Sequence, residues 1–106
     1  MNLHELAEER SLAIHRVVAD RLREDPGLIA AAAARVERWL ADGSVHPFYA
    51  EAWRKLLSGP AERLLAALVD PSEAARALRQ CSPFAGIVDP RTRWRIWGEV
   101  RSGFGK

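Results

Sequence analysis

Residues 25–43 read DPGLIAAAAARVERWLADG, and they carry the signals of one complete helix from start to stop. Asp25 can cap the segment, with Pro26 at the first helical position, where a missing N–H costs nothing. Five consecutive alanines follow, Ala30 to Ala34. Alanine is the best intrinsic helix former, and its small side chain lets a neighbouring helix approach closely. Ile29, Ala33, Val36 and Leu40 fall on one line of a 3.6-residue repeat, with Trp39 on its flank. Asp42-Gly43 closes the helix, Gly43 being suited to the left-handed conformation that ends one.

The same punctuation recurs on both sides. Upstream, residues 3–24 place Leu3, Ala7, Ser11, Ile14, Val18 and Leu22 at gaps of three and four, one stripe of a helix. Glu5, Glu8 and Glu9 come early and Arg16, Arg21 and Arg23 late, matching the helix dipole. Downstream, Pro47 opens a third helix over residues 48–57, with Phe48, Trp53, Leu56 and Leu57 as core candidates and Tyr49 at an edge. Pro60 opens a fourth, to about Val69, with Leu64, Leu65 and Leu68 inward. Asp70-Pro71-Ser72-Glu73 reads as a capping box for a fifth helix over residues 71–80, buried through Ala74, Ala75 and Leu78. Asp89-Pro90 starts a sixth that ends near Arg101. Five of the helix starts thus hold a proline, and no period-two alternation is long enough for a strand. The expectation is an all-α, compact single-domain bundle of about six short helices over residues 1–101, with residues 102–106 frayed.

A chain of 106 residues with 48% apolar and 28% charged side chains is large enough for a core without disulfides or metals. Its one cysteine, Cys81, cannot bridge internally and offers no metal-ligand spacing, which suits a reducing cytoplasm. No signal peptide or membrane-length apolar run is present, so a cytoplasmic location is expected. His4 and His15 lie off any metal spacing and read as surface or half-buried residues, and His46 reads as a loop residue. Cys81 has no histidine at a recognisable distance, and no phosphate loop or His-Glu-x-x-His element exists. Neither a catalytic group, a metal site, a cofactor nor a small-molecule substrate is expected.

Charge is unevenly distributed. Residues 1–90 hold 11 basic and 13 acidic side chains, whereas residues 91–106 hold five basic ones against Glu99 alone. Such a terminal patch favours an anionic partner, although a helix C-terminus also prefers cations for its own dipole. Before it, Cys81-Ser82-Pro83-Phe84-Ala85-Gly86-Ile87-Val88 is a loop rich in apolar residues. Either Phe84 and Ile87 plug the open end of the bundle, or they form an exposed apolar patch for a partner. In the last helix Trp94, Trp97 and Val100 make one stripe beside Ile96, and Arg91, Arg93, Arg95 and Arg101 supply charge. One of Trp94 and Trp97 is expected in the core, with the arginines exposed. Tryptophan and arginine are the residues most enriched at interface hot spots.

The segment from Arg79 to Arg91, running into Arg93-Trp94 and Ile96-Trp97, resembles small bacterial helical proteins encoded beside AbiEii-type nucleotidyltransferase toxins. Arg10-Ser11-Leu12-Ala13-Ile14-His15 and His46-Pro47-Phe48-Tyr49-Ala50 are similar to the same group. The resemblance implies an antitoxin that neutralises a cognate toxin enzyme by direct binding. Joined to the surface reading, it makes Phe84, Ile87, Arg91, Arg93, Arg95, Trp97 and Arg101 the candidate partner-binding residues. The alternative is a small DNA-binding transcriptional regulator that contacts operator DNA. The eight-residue gap from Gln80 to Asp89 is too long for a helix-turn-helix ending in the last helix.

Overall fold

A computed structural model describes residues 2–84 and 86–104. Six helices follow one another: α1 (Leu3–Glu24), α2 (Gly27–Asp42), α3 (Pro47–Ser58), α4 (Ala61–Leu68), α5 (Glu73–Arg79) and α6 (Pro90–Phe104), with no strand among the described residues. The all-α single-domain reading holds. α1 is the spine, touching α2, α4, α5 and α6, while α2 and α3 form a closely packed pair.

Local chemistry sets the boundaries. Asn2 Oδ1 accepts the Glu5 N–H at 2.8 Å and caps α1. Asp25 Oδ1 accepts the Gly27 N–H at 3.1 Å, so it serves the start of α2 although that helix begins beyond Pro26. At the other end Gly43 takes φ +73° and its N–H returns to Trp39 O at 2.9 Å. His46, expected as a plain loop residue, caps α3: its Nδ1 accepts the Phe48 N–H at 3.1 Å, with Pro47 at the first helical position. For α5 the cap is Ser72 rather than Asp70. Ser72 Oγ accepts from Ala75 N–H, and Asp70 holds the Ser72 N–H instead. α6 continues to Phe104, so residues 102–104 are helical and not part of a frayed tail. Gly105 and Lys106, the rest of that expected tail, lie outside the described residues.

Trp53 is the centre of the core. It is buried, its indole N–H donates to Leu78 O at 3.1 Å, and its ring meets Phe84 edge-on with centroids 6.0 Å apart. Val18, Leu22, Val36, Leu64, Leu68, Val88 and Ile96 complete the cluster. Burying a side chain the size of Phe84 contributes about 1.5–3 kcal/mol, so the 80–89 connection is held by the core it covers.

Several expected core positions turn outward. Phe48 is 71% exposed, because Ala50 and Trp53 own the buried face of α3. A residue two positions before Ala50 points some 200° away around a helix. The buried line of α1 is Leu12, His15, Val18, Ala19 and Leu22, while Leu3 is 84% exposed. α2 buries Ala32 and Val36, leaving Ile29, Ala33, Trp39 and Leu40 half-covered, and in α5 Ala75 is buried where Ala74 is exposed.

Candidate functional site

α6 lies antiparallel along α1. Arg21 reaches Asp89 at 3.6 Å at one end, and the Arg10 guanidinium sits 5.1 Å from the Trp97 ring centroid further along. The first turn of α6 is organised by Asp89, whose carboxylate takes the Thr92 N–H at 2.9 Å and the Thr92 hydroxyl at 2.8 Å. Those two bonds hold the Asp89 carboxyl below the usual carboxylate range, with Arg21 adding to them.

Ile96 is the residue α6 drives into the core. The expectation that Trp94 or Trp97 would fill that place is corrected. Trp94 is 72% exposed, and Trp97 is half-buried, meeting it edge-on at 5.7 Å. Ile96 lies between them in sequence, so the face it presents to α1 turns their own faces away. Arg91, Arg95 and Arg101 are exposed and Arg93 is half-buried. The Arg95–Glu99 pair is 3.8 Å apart with both side chains largely in solvent, a geometry that contributes little.

Between α6 and the connection before it lies an open hollow of about 890 Å³. Val88, Pro90, Trp94 and Trp97 give it apolar walls, and Asp89, Arg91 and Arg93 line it too. Arg101 shares a second, smaller depression with Trp94 and Trp97. The fold therefore groups Arg91, Arg93, Trp97 and Arg101 around Trp94, a residue left out of the candidate set for want of a signal that it would face solvent.

Three candidates do not join them, Arg95 among them, since it lines neither depression. Phe84 has no exposed surface, being locked against Trp53 in the core, so it cannot anchor a partner as expected. Its role is the plug. Ile87 is half-buried and lines a different depression, with Leu28, Arg35 and Pro83.

His15, read as a surface or half-buried residue, is buried, and so is Arg79. The His15 Nδ1–H donates to Ser11 O at 2.7 Å, which leaves Nε2 to accept the Ser82 hydroxyl at 2.8 Å. The Ser82 oxygen in turn accepts the Phe84 N–H at 3.1 Å. Burial holds the imidazole below its usual titration range, and nearby Arg79 pushes the same way against the Ser11 bond. A serine hydroxyl on a histidine resembles a nucleophile and its base. Here the base would become a buried cation beside an arginine, so the electrostatics oppose proton abstraction and the pair acts as a latch.

Arg79 donates to Asp70 O at 2.7 Å and Leu68 O at 3.4 Å, closing the end of α4. The Cys81 thiol is half-buried and pushed up by burial, as an unreactive thiol would be. Among the described residues no group of three or more His, Cys, Asp or Glu could hold a metal, and no helix is long and apolar enough to cross a membrane. Comparison with known family models, curated proteins and solved structures finds no match to this chain.

Proposed function

We propose that this protein is an antitoxin-like binding module that docks the outer face of α6 on a cognate enzyme and blocks it, without chemistry of its own. The observation that carries the reading is the 72% exposure of Trp94 over an apolar hollow bordered by arginines. A large indole left in water beside guanidinium groups is the composition of an interface hot spot. The positive balance of residues 91–106 favours an acidic patch on the partner. The resemblance to proteins encoded beside nucleotidyltransferase toxins makes such an enzyme the partner to try first.

The test is co-expression with the product of the adjacent reading frame. Trp94→Ala should cost at least ~2 kcal/mol of binding, and Arg91→Glu with Arg95→Glu should abolish co-purification and restore the partner's toxicity. Unchanged co-purification by both variants would remove the docking surface. A complex with duplex DNA that weakens steeply with salt, in place of a protein complex, would turn the reading to a DNA-binding regulator.

A further inference from the structure

Gly98 stands in the middle of α6, where glycine weakens a helix more than any residue but proline. A glycine in such a place commonly lets a neighbouring backbone of the same fold come close, but Gly98 does not serve the bundle in that way. It stands two positions after Ile96, as Trp94 stands two before, so each points some 200° around the helix from the side chain that enters the core. A β-carbon built on Gly98 meets no atom within 4 Å. Arg91, Trp94, Gly98 and Arg101 follow one another at gaps of three and four and make one exposed stripe. The larger hollow lies toward Arg91 and the smaller, about 210 Å³, toward Arg101, with Trp94 and Trp97 lining both. We propose that the occupant of this face is an acidic amphipathic helix of the partner, its backbone laid close against Gly98 and its carboxylates answering Arg91 and Arg101.

The inference rests on the docking role proposed for α6 and names what docks. Charge decides the sign of the occupant. The Asp89 carboxylate is taken up by Thr92 and by Arg21 at 3.6 Å, and Glu99 stands 3.8 Å from Arg95. Arg91 and Arg101 have no ion pair among the described residues, so the two ends of the stripe offer cations to an acidic partner. They are ten residues apart, roughly 15 Å along the helix axis. A straight stripe of that length, with a depression on each side of an aromatic ridge, suits a second rod whose successive turns send side chains into one depression and then the other. The separation of two packed helices depends on the side chains at their contact, and glycine at the midpoint allows the closest approach. Guanidinium groups at both ends then meet carboxylates in a two-point, fork-to-fork geometry. A second copy of this chain does not fit, because its own α6 would bring arginines against arginines.

The experiment measures the thermal midpoint of the free protein and its affinity for the purified product of the adjacent reading frame. Gly98→Ala should raise the midpoint by about 2–8 °C, since it removes a helix-weakening residue from open space, and yet weaken binding by about fivefold. Gly98→Leu should fold as well and weaken binding by at least about a hundredfold. Ala74→Leu, the same kind of added bulk on the exposed side of α5, should leave binding unchanged. Arg101→Glu should weaken binding by at least about tenfold. With a photoreactive side chain in place of Glu99, at the rim of the contact, crosslinked residues of the partner should fall three or four apart. Crosslinks two apart would denote an extended strand and overturn the proposal. A lowered midpoint in Gly98→Ala would show that the glycine serves the fold, and would overturn it too. If the parent does not bind that product, the docking role falls and this inference with it. If Trp94→Ala abolishes binding while both Gly98 variants bind as the parent does, the docking role stands and this inference alone is overturned. Self-association of the free protein that Gly98→Leu abolishes would assign the face to a second copy, with the same consequence.

Discussion

His15 Nε2 stands 2.8 Å from Ser82 Oγ, and this single bond ties the middle of the first helix to the connection that seals the core. The two residues are 67 positions apart in sequence. Because Ser82 also receives the Phe84 N–H, the imidazole sets the entry of Phe84 into the bundle.

Burial beside Arg79 favours the neutral imidazole, whose Nε2 accepts the Ser82 hydroxyl, so stability should depend on pH with a definite sign. Burial and Arg79 lower the folded-state pKa of His15, whereas in the unfolded chain it titrates near ~6.5. The unfolded state therefore binds the extra proton first as pH falls. His15 contributes its full share above about pH 6.5 and loses it progressively below, down through the folded pKa. Urea midpoints measured from pH 8 to pH 5 should fall, and His15→Gln should flatten the slope while lowering stability at pH 8. A parent midpoint that rises over the same range would contradict the assignment.

Arg79→Met should be costly in spite of its similar bulk. It leaves the Asp70 and Leu68 carbonyls without the guanidinium that closes α4. Hydrogen bonds from a charged group contribute roughly 1.5–3 kcal/mol, which for a domain of this size moves the thermal midpoint down by about 6–20 °C. Arg79→Lys should recover part of the loss through its one cation. Scanning calorimetry distinguishes the three proteins.

Gly43 is the one described residue with positive φ, at +73°. A β-carbon there meets no neighbour, so any cost of Gly43→Ala is purely conformational, about 1 kcal/mol. Chemical denaturation of this variant checks the cap in isolation from packing.

Helix starts and stops were legible because each is a local matter: proline, a capping side chain, a glycine. Facing was harder. Phe48 is apolar yet points to water because Ala50 and Trp53 fix the buried side of its helix. His15 could have been read as buried, since it stands three residues from both Leu12 and Val18 on the line that α1 does bury. Arg79 gave no such sign, as its acceptors lie at the end of α4 and in the turn that follows it, and only the fold brings them to it. The exchange between Ile96 and the tryptophans has the same origin. Periodicity draws two lines along the last helix, and the groove offered by α1 decides which one is covered.

That exchange leads to a contrast between two aromatic truncations. Phe84→Ala removes a fully buried ring that touches Trp53 and should cost about 3–5 kcal/mol, enough to shift the Trp53 environment and loosen the 80–89 connection. Trp94→Ala removes a larger ring that is 72% exposed, and surface substitutions of that kind stay within about 0.5 kcal/mol of neutral. Thermal unfolding of the two variants side by side therefore separates scaffold from contact surface. If Trp94→Ala destabilised the protein as strongly as Phe84→Ala, the indole would be holding up the bundle, and its exposure could no longer be taken as surface kept for a partner.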